Sequence, residues 1–397
     1  MRAVTRLADD ATAALDLSDI ARGDGFLFAR DGVGLAGRGI AARASTDEMP
    51  TLLASIDHDD RTGGGDPVGP VAIGWLPYDP TTPGELIVPA VTVRKTADGR
   101  RLVTVIDDAL ECLPAPHAPS PSASAYRIEP VTAIDRYLAA VATTRDAVRD
   151  GRLTKAVIAR EIAVTADRPI DRHGVLQRLK ASFGSSYRYA VDGLIGASPE
   201  LLVEVDGPSV RSHPLAGTAP RSGDVTLDAA IAAALVASTK NQVEHRVVID
   251  VVHDTLLPWC SFLDWEPEPS IVTVANVQHL GTRIEGMLSS PPPNVLELVR
   301  ALSPTPALGG HPRGDALALI AEVEGVDRGR YGGAVGWVDA AGNGTWAVTI
   351  RCAELSADGC TARLLAGGGI VADSDPLAEL AETQAKFQAM LSALIRP

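Results

Sequence analysis

The sequence predicts an α+β fold built on largely antiparallel sheets. Short runs rich in Val and Ile are typical of strands, and several end in Asp-Gly or Asn-Gly pairs, at positions 192–193, 206–207 and 343–344. Such pairs form the tight turns of β-hairpins, which join antiparallel neighbours. Other segments have helical periodicity. A doubly wound parallel sheet, in which strands and helices alternate, is therefore disfavoured.

Strand-like runs broken by Gly and Pro fill the first 110 residues, with clear examples at 71–80 and 85–95. The acidic segment 57–70 is interpreted as a surface loop, because Arg61 stands where a Ca²⁺-binding loop needs a third ligand. Residues 113–125 are mainly Pro, Ser and Ala and carry almost no charge. This composition is typical of an extended connector.

The connector divides the chain into a β-rich part, 1–125, and a second part, 126–397, that mixes helices and strands. Apolar residues on one helical face predict a helix within 133–150, and Gly151 is suited to end it. Further helices are predicted at 172–183, 226–257, 294–302, 315–324 and 376–394. Further strands are predicted within 157–165, 188–193, 200–207, 333–344, 345–355 and 361–369.

The composition is that of an ordinary globular protein. The chain has 397 residues, of which 46% are apolar and 22% charged, so it can bury a sizeable core. Lys and Arg number 36 against 50 Asp and Glu, which gives a net charge of −14. A protein that neutralises nucleic-acid phosphates needs the opposite balance. We therefore expect no nucleic-acid partner, and an anionic ligand would need local cations or a metal ion.

The sequence also predicts where the protein works. Its first 20 residues contain acids where a signal peptide has an apolar stretch, and no apolar run reaches the roughly 18 residues of a membrane span. The four cysteines form no C-x-x-C pair, so neither a disulfide framework nor a structural zinc site is indicated. We expect a cytoplasmic protein with no membrane partner.

Carboxylates on two predicted helices are candidate metal ligands. Glu244 lies in the first of these helices, and Glu379 and Glu382 share one face of the last, with Lys386 one turn beyond. Oxygen ligands without thiolates suit Mg²⁺, which usually binds one or two protein carboxylates together with water or substrate. The alternative is that these charges are simply solvated, as most charges on helices are.

Glycines near strand ends form a second candidate feature, in the segments 214–221, 330–337 and 364–371. A backbone without side chains can approach an anion and direct its N–H groups at it. Ordinary hairpin turns would also explain each segment singly. Since no P-loop and no G-x-G-x-x-G motif is present, nucleotide binding is not indicated.

Two ionisable residues stand at the starts of apolar strands and could form an acid/base pair. Lys155 precedes one strand and Glu200 begins another, and burial at the mouth of a sheet can shift the protonation of both groups. A solvated edge charge is the alternative for Lys155. His279, taken alone, is interpreted as a buried structural histidine. No G-x-S-x-G or G-x-C-x-G motif supports a serine hydrolase or a glutaminase.

Ten short motifs occur in an order that resembles the chorismate-utilising enzyme family. They read LTKAVIAR, ASPELLV, HPLAGTAPR, STKNQVEH, VQHLGT, SPTPALGG, RYGGAVGW, TIRCAEL, GGGIV and ELAETQAK. The resemblance implies a single large α+β domain, with two antiparallel sheets packed face to face and helices outside. The segment near residue 125 would then be a surface connector within one fold.

The resemblance also implies a Mg²⁺-dependent site for chorismate. Glu244 and Glu382 resemble the direct Mg²⁺ ligands, and Glu379 resembles a residue that supports the metal through water. The metal would hold the ring carboxylate of chorismate. Further substrate-binding positions are implied for Gly217, Thr218, His279, Tyr331, Arg351, Gly368, Gly369 and Lys386.

The resemblance also implies which reaction to expect, through the residue at position 155. The resemblance implies that relatives adding ammonia have Gln at this position, whereas those adding water have Lys as the base. Ala216 stands where aminodeoxychorismate synthases have Lys. We therefore expect an isochorismate synthase, in which Lys155 activates water and Glu200 protonates the leaving hydroxyl. No glutaminase subunit is expected as a partner.

Two departures from the family pattern leave alternatives open. Ser303 stands where many relatives have His, and Asn241 replaces a common Asp. Salicylate synthases share Lys155 and Glu200 and also eliminate pyruvate from isochorismate. A relative that binds chorismate without catalysis is the other alternative. The sequence leaves the pathway, menaquinone or siderophore, open.

Overall fold

The computed structural model describes residues 1–64, 69–109, 123–274 and 277–396. The helices in these ranges are α1 (Asp10–Ala14), α2 (Leu17–Ala21), α3 (Met49–Ala54), α4 (Ile134–Arg149), α5 (Arg172–Phe183), α6 (Val225–Ala237), α7 (Thr239–Leu256), α8 (Val295–Leu302), α9 (Arg313–Val323) and α10 (Pro376–Ile395). Among the described helices, none is both long and apolar enough to cross a bilayer.

The strands in the described ranges are β1 (Arg2–Leu7), β2 (Phe26–Arg30), β3 (Val33–Arg38), β4 (Ala42–Ser45), β5 (Asp57–Asp60), β6 (Val71–Leu76), β7 (Glu85–Val88), β8 (Val91–Lys95), β9 (Arg101–Ile106), β10 (Tyr126–Pro130), β11 (Lys155–Ala166), β12 (Tyr187–Val191), β13 (Leu194–Ser198), β14 (Leu201–Asp206), β15 (Ser209–His213), β16 (Leu215–Pro220), β17 (Cys260–Trp265), β18 (Ser270–Thr273), β19 (Val277–Gly281), β20 (Ile284–Leu288), β21 (Gly310–His311), β22 (Ala334–Asp339), β23 (Gly344–Val348), β24 (Cys352–Leu355) and β25 (Thr361–Ile370).

These strands form two large sheets and one small one. The larger sheet has 13 strands in the order β10-β11-β25-β24-β13-β12-β2-β3-β8-β9-β1-β5, with β21 paired to β11. The second has nine, in the order β17-β20-β15-β14-β23-β22-β6-β7-β4, and β16, β19 and β18 form the third. Neighbouring strands in the described ranges are antiparallel except β1 and β5. The predicted α+β class is confirmed.

The two large sheets pack face to face around one core, and helices cover the outer face of the larger sheet. Phe28 and Tyr189 of the larger sheet meet Ile73 and Trp346 of the second, whereas Leu27 points to the opposite face and packs under α2, α5 and α10. Because successive side chains of a strand alternate between faces, β2 is apolar on both. This explains why its sequence does not alternate with polar residues.

The segment predicted as one helix over 226–257 is two helices, α6 and α7, so that prediction was wrong. Ser238 separates them with an extended backbone (ψ 109°), and its hydroxyl oxygen accepts a hydrogen bond from the Asn241 N–H. Serine at this position satisfies an N–H group that the first turn of a helix leaves unpaired. The cap turns the chain between two stretches that both have helical composition.

Two further details of the N-terminal part differ from expectation. Residues 57–60 of the predicted surface loop form β5, which pairs in parallel with β1. The run 85–95 is two strands, β7 and β8, on different sheets, because Pro89 between them cannot donate to a strand ladder. Most of the predicted connector 113–125 lies outside the described residues, so its role stays a prediction.

The stability of α7 should depend on its Ser238 cap. Ser238→Ala removes the side-chain acceptor, so we expect the free energy of unfolding to fall by about 1 kcal/mol. Ser238→Asp, which keeps an acceptor, should stay near the wild-type value. Urea denaturation followed by circular dichroism measures both variants. Equal midpoints for Ser238→Ala and the wild type would contradict this account of the helix break.

Candidate active site

A cleft lies where β11, β25, α7 and α10 meet. It brings together all but one of the predicted site residues, the exception being Gly368, whose backbone lies next to it. The predicted residues that line it are Lys155, Glu200, Gly217, Thr218, Glu244, His279, Tyr331, Arg351, Gly369, Glu379, Glu382 and Lys386. They come from six strands and helices and from three connecting segments, so the site forms only when segments that are distant in sequence fold together.

Lys155 begins β11 and points into the cleft, where it is 1% exposed. Its Nζ lies 2.8 Å from Oε1 of Glu244 on α7. The alternative of a solvated edge charge is therefore wrong, because the ammonium group is withdrawn from water and paired with a carboxylate. A buried ion pair of this kind holds both side chains in a defined geometry.

Glu200 lies in the turn between β13 and β14 and is 2% exposed. Its Oε1 accepts a long hydrogen bond of 3.5 Å from the Leu215 N–H. Burial raises the pKa of Glu200 to about 8, although the Leu215 N–H and the charges of Lys155 and Arg351 act in the opposite direction. Glu200 therefore carries a proton at neutral pH, as a general acid must.

Three carboxylates converge on the backbone of Gly368 and Gly369 in β25. A Cβ on Gly368 would lie 2.5 Å from Oε2 of Glu379 and 3.9 Å from Oε1 of Glu382, and a Cβ on Gly369 would lie 2.5 Å from Oε1 of Glu244. Any side chain would therefore occupy the space where the two helices bring their acids together. The triple glycine serves this close approach.

Lys386 on α10 is held by two acceptors. Its Nζ lies 2.6 Å from Oε1 of Glu382, one helical turn earlier, and donates to the Gly367 carbonyl at 2.7 Å. The spacing of Glu382 and Lys386 predicted their contact. The bond to Gly367 was not predicted, because sequence alone does not reveal that α10 packs against β25 at this point.

Arg351 and His279 form a polar wall of the cleft. Nη2 of Arg351 lies 3.2 Å from Nε2 of His279, and Nδ1 of His279 lies 3.2 Å from the Gly217 carbonyl and from the Thr218 hydroxyl. Because a guanidinium only donates, Nε2 must accept, and Nδ1 carries the proton. Burial, together with the charges of Arg351 and Lys386, holds the pKa of His279 well below its usual range, so the ring is neutral.

The chain geometry at two of these positions is unusual. Arg351 has a left-handed backbone (φ 52°), which is uncommon for a residue other than glycine. Gly217 is also left-handed (φ 72°), and a Cβ there would lie 3.3 Å from the Asn241 side chain. Both conformations direct groups toward the cleft where regular strands would not.

Tyr331, which the sequence reasoning predicted, and apolar side chains, which it missed, complete the cleft. Tyr331 is buried, and desolvation raises the pKa of its hydroxyl above the usual range, so it stays neutral. The apolar lining comes from Val157, Leu215, Ala307, Leu308, Ile350, Leu365 and Ala366. Several lie within the quoted motifs, but an apolar residue in a strand gives no sign of which cavity it faces.

The two departures from the family pattern occupy different places. Asn241, near the start of α7, lines the cleft beside Gly217. Ser303, which ends α8, is buried and lines a different depression with Thr46 and Arg300. Asn241 is therefore in a position to contact a ligand in the cleft.

Comparison with known proteins agrees with this geometry. The profile of a family described as chorismate binding enzyme matches residues 84–395. The chain belongs to this family. MenF of Mycobacterium tuberculosis is 43% identical over 340 residues, which cover 82% of this chain and 86% of the relative. Isochorismate synthase DhbC of Bacillus subtilis is 39% identical over 336 residues, with 82% and 81% covered.

A solved structure extends the comparison to three dimensions. The crystal structure of DhbC from Bacillus anthracis is 33% identical and superposes with a TM-score of 0.81, covering 95% of this chain and 98% of that one. The family predicted from the ten motifs is thus confirmed. The single α+β domain expected for a chorismate-binding enzyme is confirmed as well.

Substitution of Gly369 tests whether the close approach to β25 matters. The new Cβ of Gly369→Ala would lie 2.5 Å from Glu244 Oε1 and 2.6 Å from Lys155 Cε. Both side chains must move, and a shift of about 1 Å can lower a catalytic rate about 100-fold. Steady-state kinetics with chorismate and a thermal melt measure rate and folding separately. Gly314→Ala, whose Cβ meets nothing within 4 Å, is the matched control. If the Gly369→Ala variant were as fast as this control, the close approach of Glu244 and Lys155 to β25 would not matter for the rate.

Proposed function

We propose that the protein is an isochorismate synthase, which reversibly converts chorismate to isochorismate. The observation that carries the proposal is that one cleft is lined by both a buried lysine, Lys155, and a buried and protonated acid, Glu200. The named relative DhbC of Bacillus subtilis, 39% identical, supports the same reaction. The resemblance supports water rather than ammonia as the nucleophile, because the residue at position 155 is Lys.

The reaction divides between these two groups. In the reacting state Lys155 is the neutral amine, which accepts a proton from water as the water oxygen attacks ring C2 and so becomes the ammonium. The ring double bonds shift, and the C4–O bond breaks as Glu200 protonates the departing hydroxyl. One water is consumed and one is released, so atoms and charge balance. Positioned proton transfer of this kind contributes typically 100-fold to 10,000-fold in rate.

Cations of the cleft would hold the carboxylates of the substrate. Arg351 and Lys386 line the cleft, and Arg351 donates to the neutral His279 ring. Since His279 adds no positive charge of its own, its role is to orient the guanidinium. The backbone at Gly368 and Gly369 leaves room for the enolpyruvyl carboxylate beside these cations.

The donor set also fits Mg²⁺. Glu244 and Glu382 would bind the ion directly and Glu379 through water, and the ion would supply positive charge for the ring carboxylate. The fit rests on the convergence of the three carboxylates at Gly368 and Gly369. Among the described residues, no three His, Cys, Asp or Glu side chains are spaced to enclose an ion by themselves. Mg²⁺ would therefore need water and substrate oxygens to complete its ligands.

We further propose that the enzyme is cytoplasmic and acts without a glutaminase subunit. The cytoplasmic location is supported by the scattered cysteines, of which Cys260, Cys352 and Cys360 form no disulfide in the structure. The absence of a glutaminase subunit is supported by Lys155, because the resemblance implies water as the nucleophile and water needs no dedicated supply.

Product analysis tests the proposed function. Purified protein is incubated with chorismate and Mg²⁺, and the products are separated by chromatography. Isochorismate at equilibrium with chorismate supports the proposal. Salicylate with pyruvate would assign a salicylate synthase instead, and an unchanged substrate that nevertheless binds would assign a non-catalytic relative. Ammonium salts in the same assay should yield no amino product.

Glu200 should set the alkaline side of the pH profile. Its pKa is raised to about 8, so the acid form that donates to the C4 hydroxyl is present below that pH and lost above it. Forward kcat/KM should therefore fall as pH rises through about 8. Glu200→Gln should lower kcat about 100-fold or more and abolish this limb. A wild-type profile that stays flat well above this range would contradict the role of Glu200.

Metal removal should stop the reaction. Chelation with EDTA should abolish turnover, and added Mg²⁺ should restore it. Glu382→Gln removes one proposed ligand, so the Mg²⁺ concentration that gives half-maximal activity should rise at least about 10-fold. Glu322→Gln, an exposed change on α9, is the control and should behave as wild type. Full activity of the chelated enzyme would show that the metal assignment is wrong.

A further inference from the structure

A buried ion pair outside the cleft contacts two of its walls. Glu324, which follows α9, and Arg328 are each 1% exposed at the side chain. Nε of Arg328 donates to Oε1 of Glu324 at 2.7 Å, and Nη2 donates to Oε2 at 2.6 Å. The pair is thus bidentate, and Arg328 also stacks 4.2 Å above the Tyr78 ring.

The same two side chains fill a gap in the larger sheet. On the side away from β25, β11 pairs with β21 at Lys155 and Ala156 and with β10 from Ile162 onward. In between, the Val157 carbonyl accepts from Arg328 Nη2 at 2.6 Å, and the Ala159 N–H donates to Glu324 Oε2 at 2.7 Å. Buried backbone groups need such partners. The ion pair therefore replaces the missing strand.

Arg328 also reaches the opposite wall of the cleft. Its Nη1 donates to the Leu308 carbonyl at 2.7 Å, and its own carbonyl accepts the Tyr331 N–H at 2.9 Å. Val157, Leu308 and Tyr331 all line the cleft, and Lys155 is two residues before Val157. The guanidinium thus connects two cleft segments that are distant in sequence, and the Arg328 backbone bonds to a third.

Only a guanidinium has the donors for this arrangement. Its planar fork presents five N–H groups, so one group can satisfy a carboxylate and two carbonyls together, whereas the lysine ammonium is a compact charge with three. Buried ion pairs can often be replaced by apolar residues without loss of stability. Stability alone is therefore a poor explanation for the pair, and its backbone contacts suggest another role.

We propose that Glu324 and Arg328 are positioning residues, which set the placement of Lys155 and of the Leu308 wall relative to β25. The inference rests on the proposed function, because Lys155 is the base of that reaction. The pair touches neither substrate nor reacting atoms. It acts by holding the strand segment that carries Lys155 in register with the glycines of β25.

A double variant separates positioning from folding. Glu324→Leu combined with Arg328→Met removes both charges, so no uncompensated charge stays buried, but it leaves the Val157 and Leu308 carbonyls without their donor. We expect the double variant to melt at a lower temperature, because the Val157 and Leu308 carbonyls and the Ala159 N–H lose their partners. The folded fraction should bind chorismate within about threefold of wild type by calorimetry, with kcat reduced about 100-fold. A purely structural pair would move the melting midpoint and leave kcat of the folded fraction unchanged.

A charge-conserving single variant keeps the test decisive if the double variant folds poorly. Arg328→Lys keeps a positive charge beside Glu324 but loses the fork that reaches the Val157 and Leu308 carbonyls, so kcat should fall at least about 10-fold with KM little changed. Glu161→Gln is the control, since Glu161 lies on β11 itself and pairs with Arg363 at 2.8 Å. It should retain wild-type kcat.

Two results would overturn the inference. One is a folded double variant with wild-type kcat, and the other is equal kcat for Arg328→Lys and Glu161→Gln. Failure of the wild type to form isochorismate would instead reject the proposed function. The wild-type product assay, run alongside, therefore distinguishes the two failures.

Discussion

The pairing of β11 with β25 is the constraint on which the site depends. Val157 lies opposite Gly369, and Ile158 opposite Gly368, so the strand that carries Lys155 runs beside a backbone without side chains. That backbone admits the acids of α7 and α10, as the 2.5 Å distances to added Cβ atoms demonstrate. Lys155, three carboxylates and a backbone without side chains are thereby brought to one place.

Charge in this cleft is arranged locally, against the overall balance of the chain. The protein carries a net charge of −14, yet Lys155 and Lys386 each hold a carboxylate, Glu244 and Glu382. Glu200 is uncharged at neutral pH, because burial raises its pKa to about 8. An acidic protein can therefore contain a cleft in which positive side chains and a protonated carboxyl group lie close together, since local geometry outweighs net charge at these distances.

The sequence predicted much of this arrangement where the signal was local. Hairpin turns predicted antiparallel strands, and the spacing of Glu382 and Lys386 predicted their contact. The family motifs, rather than hydrophobic periodicity, predicted that Lys155 and Glu200 belong to one site, and both line the same cleft. The break at Ser238 was missed because serine fits a helical pattern as well as a cap, and only the course of the chain decides between them.

The pair Glu324 and Arg328 illustrates what sequence cannot reveal. Opposite charges four residues apart are typical of a solvated helix surface, but these two are buried against a gap in β11. The gap exists because β21 and β10 each pair with only part of that strand. Such a non-local feature depends on the full topology and leaves no local pattern.

The most direct test of the account is the rate of Lys155→Ala in both directions, from chorismate and from isochorismate. If Lys155 is the base forward, it must be the acid in reverse, because both directions pass through one transition state. We therefore predict that kcat falls about 100-fold or more in each direction, while calorimetric affinity for chorismate changes much less. A variant that retains near wild-type kcat in either direction would contradict the assignment of Lys155.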